Sequence, residues 1–77
     1  MKKLFEYQLT QDFVELNHLL KFAGLVESGG AGGAMVTTGV VKVDGQVELR
    51  KRNKIRAGQV VTVKGLEIRV LAKDAAA

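Results

Sequence analysis

The chain contains no cysteine and no tryptophan, a single histidine, and only four aromatic residues among 77. The lack of cysteine excludes disulfide staples, a thiolate nucleophile and a cysteine-ligated metal site, and such a chain can fold in a reducing compartment. The lone histidine, His18, has too few companions for a metal site, and its place beside Asn17 on the polar flank of a candidate helix points to surface exposure. No metal and no cofactor are expected. Four aromatics supply a base-stacking platform only thinly. No apolar run approaches the roughly 20 residues that span a bilayer. The opening MKKLFEYQL has the lysines of a signal peptide, but Glu6 and Gln8 interrupt its apolar centre. A soluble, cytoplasmic protein with no membrane partner is the expectation. No Ser-His-Asp or paired-carboxylate spacing is present, and a chain this short has little room for a concave pocket. Neither an enzyme nor a small-molecule substrate is expected.

What the chain does have is concentrated positive charge. Arg50 to Arg56 holds five cations in seven residues: Arg50, Lys51, Arg52, Lys54 and Arg56. Removing those five takes the chain from +4 to −1, so the basic character is local. Charged loops are usually solvated surface, and solubility alone accounts for many of them. A solubility surface mixes signs, however, and clustering five cations carries mutual repulsion. A local cationic site with no evident chemistry around it points to a polyanion partner.

Periodicity outlines the rest as one domain over residues 1–73, with 74–77 read as a frayed tail. Leu4 to Leu9 alternates, with Phe5, Tyr7 and Leu9 on one face, and reads as a half-buried strand. Thr10 and Asp12 offer helix caps, the latter in capping-box spacing with Glu15. Phe13, Leu16, Leu20 and Ala23 then follow at helical spacing, widened by Leu19, for about three turns ending at Gly24. Ser28 is a good N-cap for a second helix closed by Gly39. Glycines 29, 30, 32 and 33 weigh against that helix by roughly 1 kcal/mol each relative to alanine, so its first turn is open to fraying and packing of Ala34, Met35 and Val36 must hold it. Two hairpins follow. The first turns at Asp44-Gly45, where a two-residue loop would mix apolar and polar residues on each face; a three-residue loop is therefore favoured, with Lys42 facing solvent near the basic segment. Ala57-Gly58 marks a turn, and the second hairpin turns at Lys64-Gly65 through a two-residue loop pairing Val63 with Leu66 and Val61 with Ile68. The order is β-α-α-β-β-β-β.

The glycine-rich GGAGG lacks the Gly-Lys-Ser/Thr ending of a phosphate loop and the GxGxxG pattern after a core strand. Gly-x-x-Gly at 29–32 or 30–33 has the spacing of a KH-type backbone clamp, without the basic residues that clamp carries between its glycines.

Four elements in order do form a recognisable pattern: L-x-x-L-L-K-x-x-G-L-V-x-S-G, a short helix ending at Gly39, V-V-K-V-D-G, and the basic run E-x-R-K-R-x-K-I-x-x-G-Q over Glu48 to Gln59. This pattern, over roughly Asp12 to Val63, resembles the RNA-binding domain named after the small-subunit ribosomal protein S-four, with its αL motif, and is most similar to its short stand-alone bacterial members. The resemblance implies an α+β fold of two N-terminal helices packed on a small, mostly antiparallel sheet. It also implies an RNA surface built by the helices and the adjoining hairpin, with Ser28 at the head of the second helix and Lys42, Arg50, Lys51, Arg52 and Lys54 at basic positions. Many members carry Lys or Arg near position 33, where this chain has Gly33. The implied role is binding alone. Structured RNA phosphates would dock on Lys42 and the Arg50–Arg56 segment, helped by the Ser28 hydroxyl and nearby helix N-terminal amides. Ribosomal or transfer RNA are candidate partners, recognised by shape. The rival expectation is an adaptor whose basic surface binds an acidic or ribosome-associated protein.

Overall fold

The computed structural model describes residues 3–73. Seven strands and two helices follow in the order β1 (Lys3–Gln8), β2 (Val14–Glu15), α1 (Leu16–Phe22), α2 (Gly29–Thr37), β3 (Val41–Val43), β4 (Gln46–Val47), β5 (Lys54–Ile55), β6 (Val60–Val63) and β7 (Leu66–Leu71). A five-stranded sheet runs β1-β7-β6-β3-β4, and β2 pairs with β5 in a separate two-stranded ribbon. All pairings are antiparallel except β1 with β7, which are parallel in a register that sets Phe5 beside Ile68 and Tyr7 beside Val70. The fold is α+β, two helices on a mostly antiparallel sheet. The expected tail at 74–77 lies outside the described residues.

Alternation decides which sheet face is covered. Val41, Val43, Val61, Val63, Ile68 and Val70 are buried against Leu16, Leu19 and Leu20 of α1 and Val36 of α2. Each such side chain is worth about 1.5–3 kcal/mol on leaving water, so this layer fixes where the helices sit. Of the residues expected to hold the second helix, Val36 is fully buried, Met35 packs on the core, and Ala34 is exposed.

The turns follow the backbone chemistry of their residues. Lys64 and Gly65 both adopt positive φ, 47° and 84°, and the second hairpin has the expected pairing of Val63 with Leu66. Gly24, Gly39 and Gly58 also adopt positive φ, ending α1 and α2 and turning the chain into β6.

The first hairpin departs from expectation. Asp44 (φ 51°) and Gly45 (φ 87°) form a two-residue loop that pairs Val43 with Gln46 and Lys42 with Val47. The face-matching argument for three residues fails because β4 is a two-residue edge strand, exposed at both positions, and has no core face to match. Asp44 also fastens the turn inward. Its N–H donates to the Val60 carbonyl (2.8 Å) and its Oδ1 accepts the Val60 N–H (2.9 Å).

The first helix also starts later than expected. Thr10 and Asp12 cap nothing; α1 begins after Glu15, whose side chain makes no capping bond, and runs only seven residues. Residues 14–15 are instead taken by β5, which makes Val14 and Glu15 extended. Phe13 thereby falls before the helix and outside the core cluster, rather than on the helix's apolar face.

Candidate nucleic-acid interface

The basic run is held in place through its backbone. The first N–H groups of any helix lack intrahelical partners, and in α1 the loop supplies them. Leu16 N–H donates to the Asn53 carbonyl and Asn17 N–H to the Lys51 carbonyl, both at 2.9 Å. The adjoining pairs Glu15–Lys54 and Val14–Ile55 extend this contact, and Ile55 is buried completely as its anchor. The backbone that carries Lys51, Arg52 and Lys54 is therefore fastened across the start of α1.

The second helix forms despite its glycines, and from its first residue. Ser28 caps it, its hydroxyl accepting the Ala31 N–H at 3.1 Å. Two of the glycines are there for close approach. A Cβ on Gly32 would drive into the Asn17 carbonyl of α1, and one on Gly33 would come within 2.9 Å of Lys51 Cδ. Gly29 likewise faces the His18 ring, whose Cδ2 would lie 2.8 Å from an added Cβ. At Gly32 the helix propensity lost is offset by an approach to the Asn17 backbone that no larger residue permits.

The result is a cleft of about 230 Å³ walled by Gly29, Gly30 and Gly33 of α2, Asn17 and His18 of α1, and Lys51 and Arg52 of the loop, with Glu15 at its side. Asn17 Nδ2 reaches the Gly29 carbonyl at 3.4 Å, while its Oδ1 is buried with no hydrogen-bond partner. Glu15 stands between His18 and Arg52, 3.5 Å from His18 Nδ1 and 3.5 Å from Arg52 Nε.

The seven residues singled out from sequence divide into groups. Ser28, Lys51 and Arg52 converge on or beside this cleft. Lys54 and Arg56 lie over the Phe13 ring, 5.0 and 5.7 Å from its centre. Arg50 turns back on Glu48, with its Nε 2.9 Å from Oε2 and its backbone N–H on the same oxygen. That side-chain hydrogen bond holds the Glu48 carboxyl below the usual carboxylate range and raises the Arg50 guanidinium further. Lys42 projects from the solvent face of the sheet between Val47 and Thr62, and its side chain forms no hydrogen bond or ion pair with the basic loop. Lys51, Lys54, Arg56 and Lys42 form no ion pair among the described residues. No group of three or more His, Asp or Glu side chains there is placed to hold a metal, and no helix there is long and apolar enough to cross a membrane.

Comparison with known proteins matches residues 7–71 to the S4 domain model. The chain belongs to the S4 domain family. It is 51% identical over 59 residues to YbcJ of Escherichia coli (strain K12), covering 77% of this chain and 84% of that protein, and equally so to YbcJ of Shigella flexneri. The solution structure of Escherichia coli YbcJ superposes with a TM-score of 0.69 at 44% identity, covering 94% of this chain and 92% of that one. That structure is described as revealing an αL motif involved in RNA binding.

The S4 pattern acquires a physical meaning residue by residue. In the run from Glu48 to Gln59, Glu48 folds back on Arg50, Ile55 is the core anchor, and Gly58 adopts φ 90°. Gln59 ties the ends together: its Oε1 accepts the Arg56 N–H at 2.8 Å and its Nε2 reaches Asp44 at 3.4 Å. None of Asn17, Glu15 and Phe13 is an expected interface residue: the sequence pattern marks Asn17 as polar flank, Glu15 as the capping-box partner of Asp12 and Phe13 as part of a helix's apolar face. The spacing of Phe13 is compatible with a helix, and only the long-range β2–β5 pairing removes it from one.

Proposed function

We propose that this S4 domain binds structured RNA, docking phosphates in the cleft where Lys51 and Arg52 meet the glycine-rich start of α2. One observation carries the reading. The backbone bonds from Leu16 and Asn17 to Asn53 and Lys51 fix a row of cations directly over the α1–α2 junction. A mobile basic loop would serve solubility equally well; a fastened one presents a defined array of charge. Backbone N–H groups at the head of α2 add donors for an anion. Lys54 and Arg56 extend the array past Phe13. Arg50, already paired with Glu48, contributes less, and Lys42 acts as a peripheral contact. The partner is a hairpin or duplex junction recognised by shape, with no chemical step.

The test is fluorescence anisotropy with a structured-RNA pool over a salt series. The comparison is a variant carrying alanine at Arg50, Lys51, Arg52 and Lys54. Four or five phosphates would give a log-log slope of about −3 to −4.5, and the folded variant would lose both affinity and slope. Equal binding by the folded variant would contradict the assignment. A second reading has one specific observation behind it: Val47 and Leu49, beside the basic loop, are 53% and 58% exposed. An acidic protein with an apolar contact would use them, and substituting both by serine would then abolish its binding while leaving RNA affinity unchanged.

A further inference from the structure

Three of the four aromatic residues of this chain, together with its only histidine, line one open cleft. Tyr7 comes from β1, Phe13 from the connection to β2, and His18 and Phe22 from α1. Its volume of about 320 Å³ is at the lower end of the roughly 300–1,000 Å³ typical of small-molecule pockets. That is room for one planar group, not an extended substrate. The Tyr7 and Phe22 rings are parallel to within 1°, with centres 5.4 Å apart, an offset stack. Phe22 is 49% exposed, and neither it nor Phe13 belongs to the core cluster, although Phe22 stacks on Tyr7, which packs against that cluster.

Charge says what occupies the cleft. Lys54 and Arg56 stand over Phe13 at its rim. On the other side, Glu15 and His18 form a wall shared with the cleft that holds Lys51 and Arg52. A strand whose phosphates follow the cations from one cleft to the other passes an aromatic slot on the way. We infer that the slot receives one unpaired nucleobase, so that the preferred RNA is a duplex or hairpin carrying a bulged or unpaired nucleotide beside its docked phosphates. This rests on the RNA-binding reading above and adds the class of RNA. Composition predicts a poor stacking surface; the fold gathers the few rings it has into one place. Gln11 and Glu15 in the lining offer hydrogen-bond partners to a base edge, the carboxylate favouring bases with exocyclic amines.

The experiment compares two hairpin RNAs with the same number of phosphates, one with a single bulged adenosine and one with an abasic residue there, by anisotropy across a salt series. Base–aromatic stacking predicts at least about fivefold tighter binding of the adenosine RNA, with the same salt slope for both. Phe22→Leu, a change at a half-exposed position, should bring the ratio close to one and leave the slope unchanged. Phe13→Leu should also reduce it, and circular dichroism confirms that each variant is folded. Equal wild-type affinities with a normal salt slope would overturn the slot and leave the phosphate cleft standing. A ratio that survives in both folded variants would also overturn it. Absence of binding to either RNA would overturn this inference together with the reading it rests on.

Discussion

The methylene stem of Lys51 lies across Gly33, so close that a single added methyl group on α2 would displace it. The S4 resemblance implies a Lys or Arg near position 33, whereas here the loop lays Lys51 over Gly33. The charge is delivered from a different element to the same junction. Gly33 is thus part of how Lys51 is positioned.

Gly33→Ala should therefore separate folding from binding. The Lys51 stem is flexible and can move aside, and alanine improves helix propensity by up to about 1 kcal/mol. Thermal stability should hold or rise, while RNA affinity falls by about two- to fivefold. Lys51→Ala should weaken binding by at least as much and reduce the salt slope by about one phosphate's share.

Neighbouring glycines should respond in opposite senses. Gly32→Ala pushes a Cβ into the Asn17 backbone, which cannot move without parting the helices, and the expected loss is about 1–3 kcal/mol, in the range of overpacking. At Gly30 the added Cβ finds only Ser28 Oγ, at 3.9 Å, and Gly30→Ala should stabilise by about 0.5–1 kcal/mol. Urea denaturation of the two variants measures both.

Asp44 combines a left-handed backbone with an acceptor for the Val60 N–H. Asp44→Ala should cost about 1–3 kcal/mol, because it leaves that N–H without its partner and places alanine at positive φ. Asp44→Asn keeps an acceptor oxygen and tolerates the backbone, and should recover most of the loss in the same denaturation assay.

The Glu48–Arg50 pair gives a pH signature. Hydrogen bonding to Arg50 lowers the Glu48 pKa in the folded state, so the pair's contribution is fully present above the ordinary glutamate value of about 4.3. It disappears as pH falls through the lower folded value. Glu48→Gln should lower the melting temperature slightly at pH 7, and the difference from wild type should shrink as pH falls below the ordinary glutamate value.

Local chemistry was legible in the sequence wherever one or two residues decide the outcome. Ser28 caps α2, Lys64-Gly65 turns the second hairpin, and Gly24 and Gly39 end the helices as their residue types require. The S4 resemblance was legible as well, and with it the α+β architecture. What escaped depends on partners distant in the chain. Val14 and Glu15 are strand only because Ile55 and Lys54 pair with them, which shortens α1 and releases Phe13. The two-residue turn at Asp44-Gly45 is allowed because β4 is a short exposed edge, which alternation alone does not reveal. GGAGG looked unfavourable as helix because its compensation, contact with Asn17 and Lys51, comes from two other elements.

The central claim is that RNA is held where the basic loop crosses the α1–α2 junction. The most direct measurement is a titration of the ¹⁵N-labelled protein with a bulged RNA hairpin, following backbone amide shifts. The expected result is saturable movement of the Gly29, Gly30, Gly33, Lys51 and Arg52 amides, with little change in β6 and β7. Shifts confined to the sheet around Lys42, or no shifts at low salt, would contradict it.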